Sequence, residues 1–276
     1  NSLTGLIPAS IGDLTQLTFL GLGLNSLTGL IPASIGDLTQ LTYLSLYRNS
    51  LTGLIPASIG NLTQLTNLEL GTNSLCGTIP SSFSALTNLT VLFLDRNSLT
   101  SSIPSFLGTF TSLQYLQLSN NLFRGAIPQT LGGLNNLLEM NLNNNFLTGP
   151  VPSCIGNMSS LSVLNLERNQ LSGVVPWQLR NLRNLTALQL SHNRLVSDPA
   201  SPGFAFIDPN AQTNLSTLAL GYNLFSGVVD SSIFTMPSLV TVVLGSNCFE
   251  GSIPSSVCNA TEMVTMVLSD LSGGTC

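Results

Sequence analysis

Residues 49–72 read NSLTGLIPASIGNLTQLTNLELGT, and their reading decides the fold. In Leu68-Glu69-Leu70 the leucines alternate with a polar residue, the period-two signature of a short strand with one buried face. Asn73 follows at a beat that runs through Asn1, Asn25, Asn49, Asn73, Asn97, Asn121, Asn145, Asn169 and Asn193 at a period of 24. One step of 30 leads to Asn223, and 24 again to Asn247. A strand entered from the same direction every 24 residues has to pair in parallel with its neighbours. The short Asn amide can bond backbone groups, so one Asn per coil predicts an internal polar ladder. Gly53 permits a turn, and Ile55-Pro56 starts a return path off the main sheet, since Pro cannot donate to a central ladder. The stretch Ile59 to Leu65 is long enough for one helical turn, such as a 3₁₀ turn. A single coil cannot bury its own leucines; stacked coils bury them together.

This unit, N-x-L-T-G-x-I-P-x-x-I-G-x-L-T-x-L-x-x-L-x-L, resembles the leucine-rich repeat family in its plant-type subclass, whose members include receptor ectodomains and secreted wall proteins. The match runs from Asn1 to about Leu268. The resemblance implies an α/β right-handed solenoid, a horseshoe or superhelix. Its concave face is a parallel β-sheet, its convex segments are short 3₁₀ or helical turns, and a second small strand lies near L-T-G-x-I-P. Departures are local: Ser101 stands for the turn Gly, Asp230 for the Pro, and Leu271 where the next Asn would fall. The repeats are expected over 1–247, with the 30-residue repeat at 193–222, and a last repeat with a Cys-containing cap at 248–276. The chain opens inside a repeat, which reads as a fragment of a longer chain.

The chain has 276 residues, 12 acids and seven bases, all of them Arg, for a formal net charge of −5. That balance argues against nucleic acid, which needs clustered cations. No run approaches the ~20 apolar residues of a spanning helix. No cofactor motif, phosphate loop, metal spacing or Ser-His-acid arrangement is present, and His192 is the one histidine, so no enzyme is expected.

Of the five cysteines, Cys76 and Cys154 lie about three coils apart, roughly 14 Å at ~4.8 Å per strand, too far to pair. The last 29 residues hold Cys248, Cys258 and Cys276. Cys258 with Cys276 is the favoured pair, Cys248 with Cys276 the alternative, and either would close a terminal cap. Sequons at Asn61, Asn88, Asn157, Asn184, Asn214 and Asn259 are glycosylation candidates and, with the cap, favour an extracellular or cell-surface location. Residues 195–214 hold the extra length and two Asp-Pro steps, and read as a loop on the return path; lateral docking through Phe204 and Phe206 is the sharper alternative.

Recognition has internal support. Residues 1–24 and 25–48 differ at four positions, Phe19/Tyr43, Gly21/Ser45, Gly23/Tyr47 and Leu24/Arg48. Residues 25–48 and 49–72 differ in the same four columns and at Asp37/Asn61. Change thus concentrates on what reads as the solvent face of the strand. Extending the columns gives a candidate surface of Tyr43, Tyr47, Arg48, Glu69, Phe93, Asp95, Arg96, Tyr115, Gln117, Glu139, Asn141, Asn143, Glu167, Arg168, Gln189, His192 and Tyr222. Tyr43, Tyr47, Phe93 and Tyr115 are expected to form an aromatic strip. The expected partner is a protein, peptide or glycan. The alternatives are a structural, self-assembling cell-surface protein and, lower, ice binding by the Thr15/Thr39/Thr63/Thr87 and Thr18/Thr42/Thr66/Thr90 ladders.

Overall fold

The computed structural model describes residues 2–200 and 203–269. Each coil contributes one three-residue strand, from Phe19–Gly21 to Thr265–Val267, and the eleven among the described residues form one parallel sheet in chain order. The alternation dictates the orientation. In every strand between the first and the last of this sheet the middle residue, such as Leu44, Leu68, Leu92 or Leu116, has no exposure. The residues on either side of it face out. Register is equally regular: Tyr43 pairs with Asn67, Asn67 with Val91, and Tyr115 with Val91 on one side and Glu139 on the other.

The strands stop after three residues because the chain turns sharply. The residue before each ladder Asn has φ between 51° and 58°, from Leu24 and Arg48 through Tyr222 and Ser246. That left-handed conformation costs ordinary residues roughly 1–2 kcal/mol. Here the ladder Asn holds it. Asn121 shows the pattern: its Oδ1 accepts from Leu99 N at 3.0 Å, and its Nδ2 donates to Leu94 O at 2.9 Å and Leu118 O at 3.2 Å. The same bonds recur from Asn25 to Asn247, which tie each coil to the one before it.

Past the ladder, the L-T-G segment forms the expected second strand, with Gly29 at φ 75° and Gly53 at φ 78° making its bend. This second sheet is broken into groups of five, four and two strands. The first break coincides with Ser101, which keeps the glycine conformation at φ 75° while its strand shrinks to Ser98–Leu99. The second coincides with the enlarged coil. Ten 3₁₀ turns of five residues, from Ala9–Asp13 to Ser255–Asn259, form the convex side among the described residues. Nine begin after a proline whose φ near −65° suits a helix start; Asp230 precedes the other.

The enlarged coil is not a lateral docking loop. Phe204 is 2% exposed and Phe206 4%, and their rings lie 5.7 Å apart, packed against Phe225 and Phe249. The polar, proline-rich composition around them hid this burial. Gln212, with no exposure, donates to Leu179 O at 3.0 Å and accepts from Asp208 N at 2.9 Å. Hydroxyls of the Thr18 column also have a structural use: Thr42, Thr66 and Thr90 each donate to the carbonyl of the preceding member at 2.9–3.1 Å.

The favoured Cys258–Cys276 pairing is corrected. Cys258 is an exposed free thiol, because its 3₁₀ turn carries it to the convex surface, whereas Cys248 is disulfide-bonded. Cys276 and Leu271 lie outside the described residues. Cys76 and Cys154 are half-buried free thiols. No helix among the described residues is long and apolar enough to cross a membrane.

Candidate functional site

The concave sheet presents two outward residues per strand and two more in the turn that follows. On the strand itself stand Tyr43, Glu69, Phe93, Tyr115, Gln117, Glu139, Asn141 and Gln189. Tyr47, Asp95, Asn143 and Glu167 fall one residue beyond the second strand leucine, outside the strand proper. Arg48, Arg96, Arg168, His192 and Tyr222 occupy the left-handed position, so they belong to the turn at the edge of the sheet and not to its flat face. The difference is physical: three paired residues per strand leave two columns to the turn. Arg48, Arg96, Arg168 and Tyr222 are exposed; His192 and the strand residues are half-buried between neighbouring coils.

The expected aromatic strip does not form. Among the described residues, the ring contacts on this face are Phe19 with Tyr43, stacked at 4.3 Å, and His192 with Tyr222, stacked at 4.1 Å. Register explains this. Tyr115 and Phe93 sit in different columns, and Tyr47 lies in the turn, so their rings are diagonal neighbours. What the structure brings together instead is mixed. Tyr43 Oη donates to Glu69 Oε2 at 3.1 Å, and Gln117 Nε2 donates to Glu139 Oε1 at 2.7 Å. Tyr47, Glu69, Phe93, Asp95 and Gln117 line an open depression of about 310 Å³.

The titrating groups report how dry this region is. Burial, aided by the charge of Glu69, pushes the Tyr43 phenol up. Burial raises the Asp95 carboxyl above its ordinary range, against the opposing pull of a backbone hydrogen bond and Arg96. At the other end, burial and the Arg168 guanidinium hold His192 below its ordinary value, with Glu167 acting the other way. Among the described residues the one ion pair is Arg180 with Asp208, at 3.1 Å and on the return side. The acids and arginines of the concave face are therefore not paired with each other. Among the described residues the buried side-chain atoms without a hydrogen-bond partner are Thr72 Oγ1, Asn143 Oδ1 and Ser191 Oγ, all in the two turn columns beside this face.

A second depression was missed by column reasoning. Asn97, Asn120, Leu122, Asn144, Phe146 and Arg168 line about 370 Å³ where the turn meets the second sheet, and the Arg124 guanidinium lies 4.8 Å from the Phe146 ring centre. Trp177, 55% exposed, stands where most coils carry Ala or Ser and was also overlooked. The signal was the departure of Leu122 and Phe146 from a column that begins as Ser, and of Trp177 from its own. All six sequon asparagines are exposed; Asn88 and Asn184 donate to Thr63 O and Ser159 O, each at 2.9 Å. Among the described residues no His, Cys, Asp and Glu converge as a metal site.

Comparison with known proteins places this architecture. A family profile described as "Leucine-rich repeat region" matches residues 14–143, and one described as "Leucine rich repeat" matches 135–195. No curated protein matches the chain by sequence. Among solved structures, a TDR receptor superposes with a TM-score of 0.88 at 32% identity, over 98% of this chain and 50% of its own. The Arabidopsis receptor kinase HAESA, solved with the peptide hormone IDA and the co-receptor SERK1, gives 0.85 at 32% identity, over 98% and 49%. A plant ice-binding protein gives 0.69 at 29% identity, over 91% and 78%. The chain spans about half the length of the two receptor structures.

Proposed function

Because the chain belongs to the leucine-rich repeat family, in its plant-type form, we propose that it is an extracellular recognition module that binds a peptide on its concave sheet. The observation that carries this reading is the concave surface itself. From Tyr43 to Gln189 it joins aromatic, amide and charged side chains on a rigid backbone, and its acids and arginines lack ion-pair partners among the described residues. Elsewhere the repeat is monotonous, so the binding information lies where the coils differ. A preformed sheet loses little entropy on binding, which favours an extended ligand laid across successive coils. The likeness to a receptor kinase solved with a peptide hormone supports the same ligand class and an extracellular location.

The anchors in this reading are Tyr43, Phe93, Tyr115 and Arg96. The test is selection of a displayed random dodecapeptide library on the intact chain, followed by Ala substitution of these four. Loss of at least tenfold in affinity from Phe93→Ala or Tyr115→Ala is expected. Affinity unchanged in all four variants would place the site elsewhere. In the same reading Cys248 pairs with Cys276 to close the last coil, and the exposed sequon asparagines carry glycans. Peptide mapping without reduction, and mass loss on deglycosylation, check these two points.

One observation favours a second reading, ice binding: the likeness to a plant ice-binding protein, together with the regular Thr columns. Against it, the Thr42, Thr66 and Thr90 hydroxyls are committed to backbone carbonyls. Thermal hysteresis of the purified chain above that of a buffer control would establish it.

A further inference from the structure

The depression on the first half of the concave sheet is a recess with a chemical character of its own. Tyr47, Gly71 and Asp95 occupy the same column on three successive coils. Gly71 has no side chain, and the Asp95 carboxylate lies against it: a Cβ on Gly71 would run into Asp95 Oδ1. The missing side chain is what lets the Asp95 carboxylate lean over Gly71, and Asp95 and Tyr47 are both walls of the recess. Glu69 and Phe93 are register partners on adjacent strands and line it together with Gln117. The lining is thus two aromatic rings, two carboxylates and one amide around about 310 Å³.

Among the described residues neither carboxylate forms an ion pair, although the charge of Arg96 acts on Asp95. Neither Glu69 nor Asp95 forms an ion pair with Arg48 or Arg96, which stand in the left-handed edge column. One Glu69 oxygen accepts from Tyr43 Oη, which leaves its other oxygen available. Burial already works against the Asp95 charge. Beside Gly71, the Thr72 hydroxyl is buried with no hydrogen-bond partner. A cation entering the recess would meet an aromatic lining, which attracts it through the ring quadrupole, and carboxylates positioned for charge-assisted hydrogen bonds. An anion would meet two carboxylates.

We infer that the Tyr47–Glu69–Phe93–Asp95–Gln117 recess is a subsite for a cationic side chain, the guanidinium of Arg or the ammonium of Lys, of a bound peptide. The inference rests on the peptide-binding reading and specifies one anchor of that ligand. It also gives the ligand a register, because the basic residue has to lie over the third and fourth coils.

The test uses the peptides selected from the displayed random dodecapeptide library on the intact chain at low salt. A basic residue should recur at one position. Replacing an arginine there by citrulline, which keeps shape and removes charge, should weaken binding at least tenfold. In a Glu69→Gln, Asp95→Asn double variant the same replacement should change affinity less than threefold, while the thermal midpoint stays within a few degrees of the parent. Gly71→Val should weaken the arginine peptide by pushing the Asp95 carboxylate out of its place in the wall. Peptides that lose binding on Phe93→Ala yet show no basic position, or whose citrulline effect is the same in the double variant, overturn the cationic subsite and leave peptide binding standing. Enrichment of no peptide overturns both.

Discussion

The regular coils at 25–72 and the enlarged coil at 193–222 solve one packing problem in two ways. In a regular coil the return path is set by Pro32 or Pro56 and a five-residue 3₁₀ turn that packs on the turn of the next coil. Among its described residues the enlarged coil has no such turn, and it buries Phe204, Phe206 and Ile207 where the short coil needs only its leucines and isoleucines. Yet the concave strands do not register the change. Ala187 pairs with Thr217 and Gln189 with Ala219, as in-step as Tyr43 with Asn67. Six extra residues are absorbed on the return side because the Asn ladder, from Asn193 to Asn223, keeps its bonds across the longer gap. The lesson is that the ladder and the sheet define the array, and the return path is free to vary provided it supplies core.

That comparison can be broken most directly at Phe204. If the enlarged coil is core and not ornament, Phe204→Ala should cost about 3–5 kcal/mol, as much as Leu38→Ala or more. Hydrogen exchange is the suitable measurement, since a long repeat array need not unfold in one step. Loss of protection should centre on the coils bearing Phe225 and Phe249, the ring partners of Phe204. A cost below about 1 kcal/mol would return the insertion to the status of a tolerated loop.

The ladder gives the next largest effect and a graded one. Asn223→Ala leaves Leu195 N, Leu190 O and Leu220 O without their partner in a buried setting, at about 1 kcal/mol or more for each. Asn25→Ala removes equivalent bonds, but Leu3 N is exposed and water replaces part of the loss. Asn223→Ala should therefore be the costlier by roughly 1–2 kcal/mol in chemical denaturation. Equal costs would mean that burial does not grade the ladder.

How much of this was readable beforehand follows from where the information sits. The solenoid, the ladder, the second strand and the 3₁₀ turns all express a 24-residue period, and period survives any local ambiguity. The outward columns were readable because the first three coils are near-copies that differ there. Phe204 and Phe206 were ambiguous, since Asp-Pro and Ser-Pro steps around them mimic an exposed loop; only the ring cluster with Phe225 and Phe249 reveals the burial. The Tyr47–Asp95 recess was unreadable for another reason. The place of the Asp95 carboxylate in its wall depends on Gly71, a residue with no side chain to attract notice, because a Cβ there would collide with that carboxylate.

Smaller effects mark how the enlarged coil is fastened. Asp230 stands where the other coils with a 3₁₀ turn carry Pro, and it does two jobs that Pro cannot: its Oδ1 accepts from Ser232 N at 2.9 Å and its Oδ2 from Phe204 N at 3.4 Å. Asp230→Ala should cost about 1 kcal/mol, a typical cap loss. The proline of the regular coils makes a second probe, because φ is −65° here and the ring fits. Asp230→Pro should recover part of the Ala deficit, through a stiffer unfolded chain, without restoring the hold on Phe204. Full recovery in thermal melts would show that the link to the insertion contributes nothing.

The smallest effect is the ion pair that clips the insertion to the preceding coil. Arg180 Nη2 donates to Asp208 Oδ2 at 3.1 Å, and this bond holds the Asp208 carboxyl below the usual carboxylate range. A depressed folded-state value means that the contribution is present above the unfolded value, about 3.9, and is lost as pH falls through the folded one. Both partners are largely or partly in solvent, so salt screens the pair and its worth is under about 1 kcal/mol. Arg180→Gln removes the guanidinium and leaves the Asp208 bond to Asn210 N in place. The parent should melt slightly above this variant at pH 7 in low salt. The gap should close in two ways, on raising salt and on titrating below the carboxylate range. A gap that persists at both extremes would assign the stabilisation to packing of the Arg180 stem, and the clip would then be apolar, like the rest of the enlarged coil.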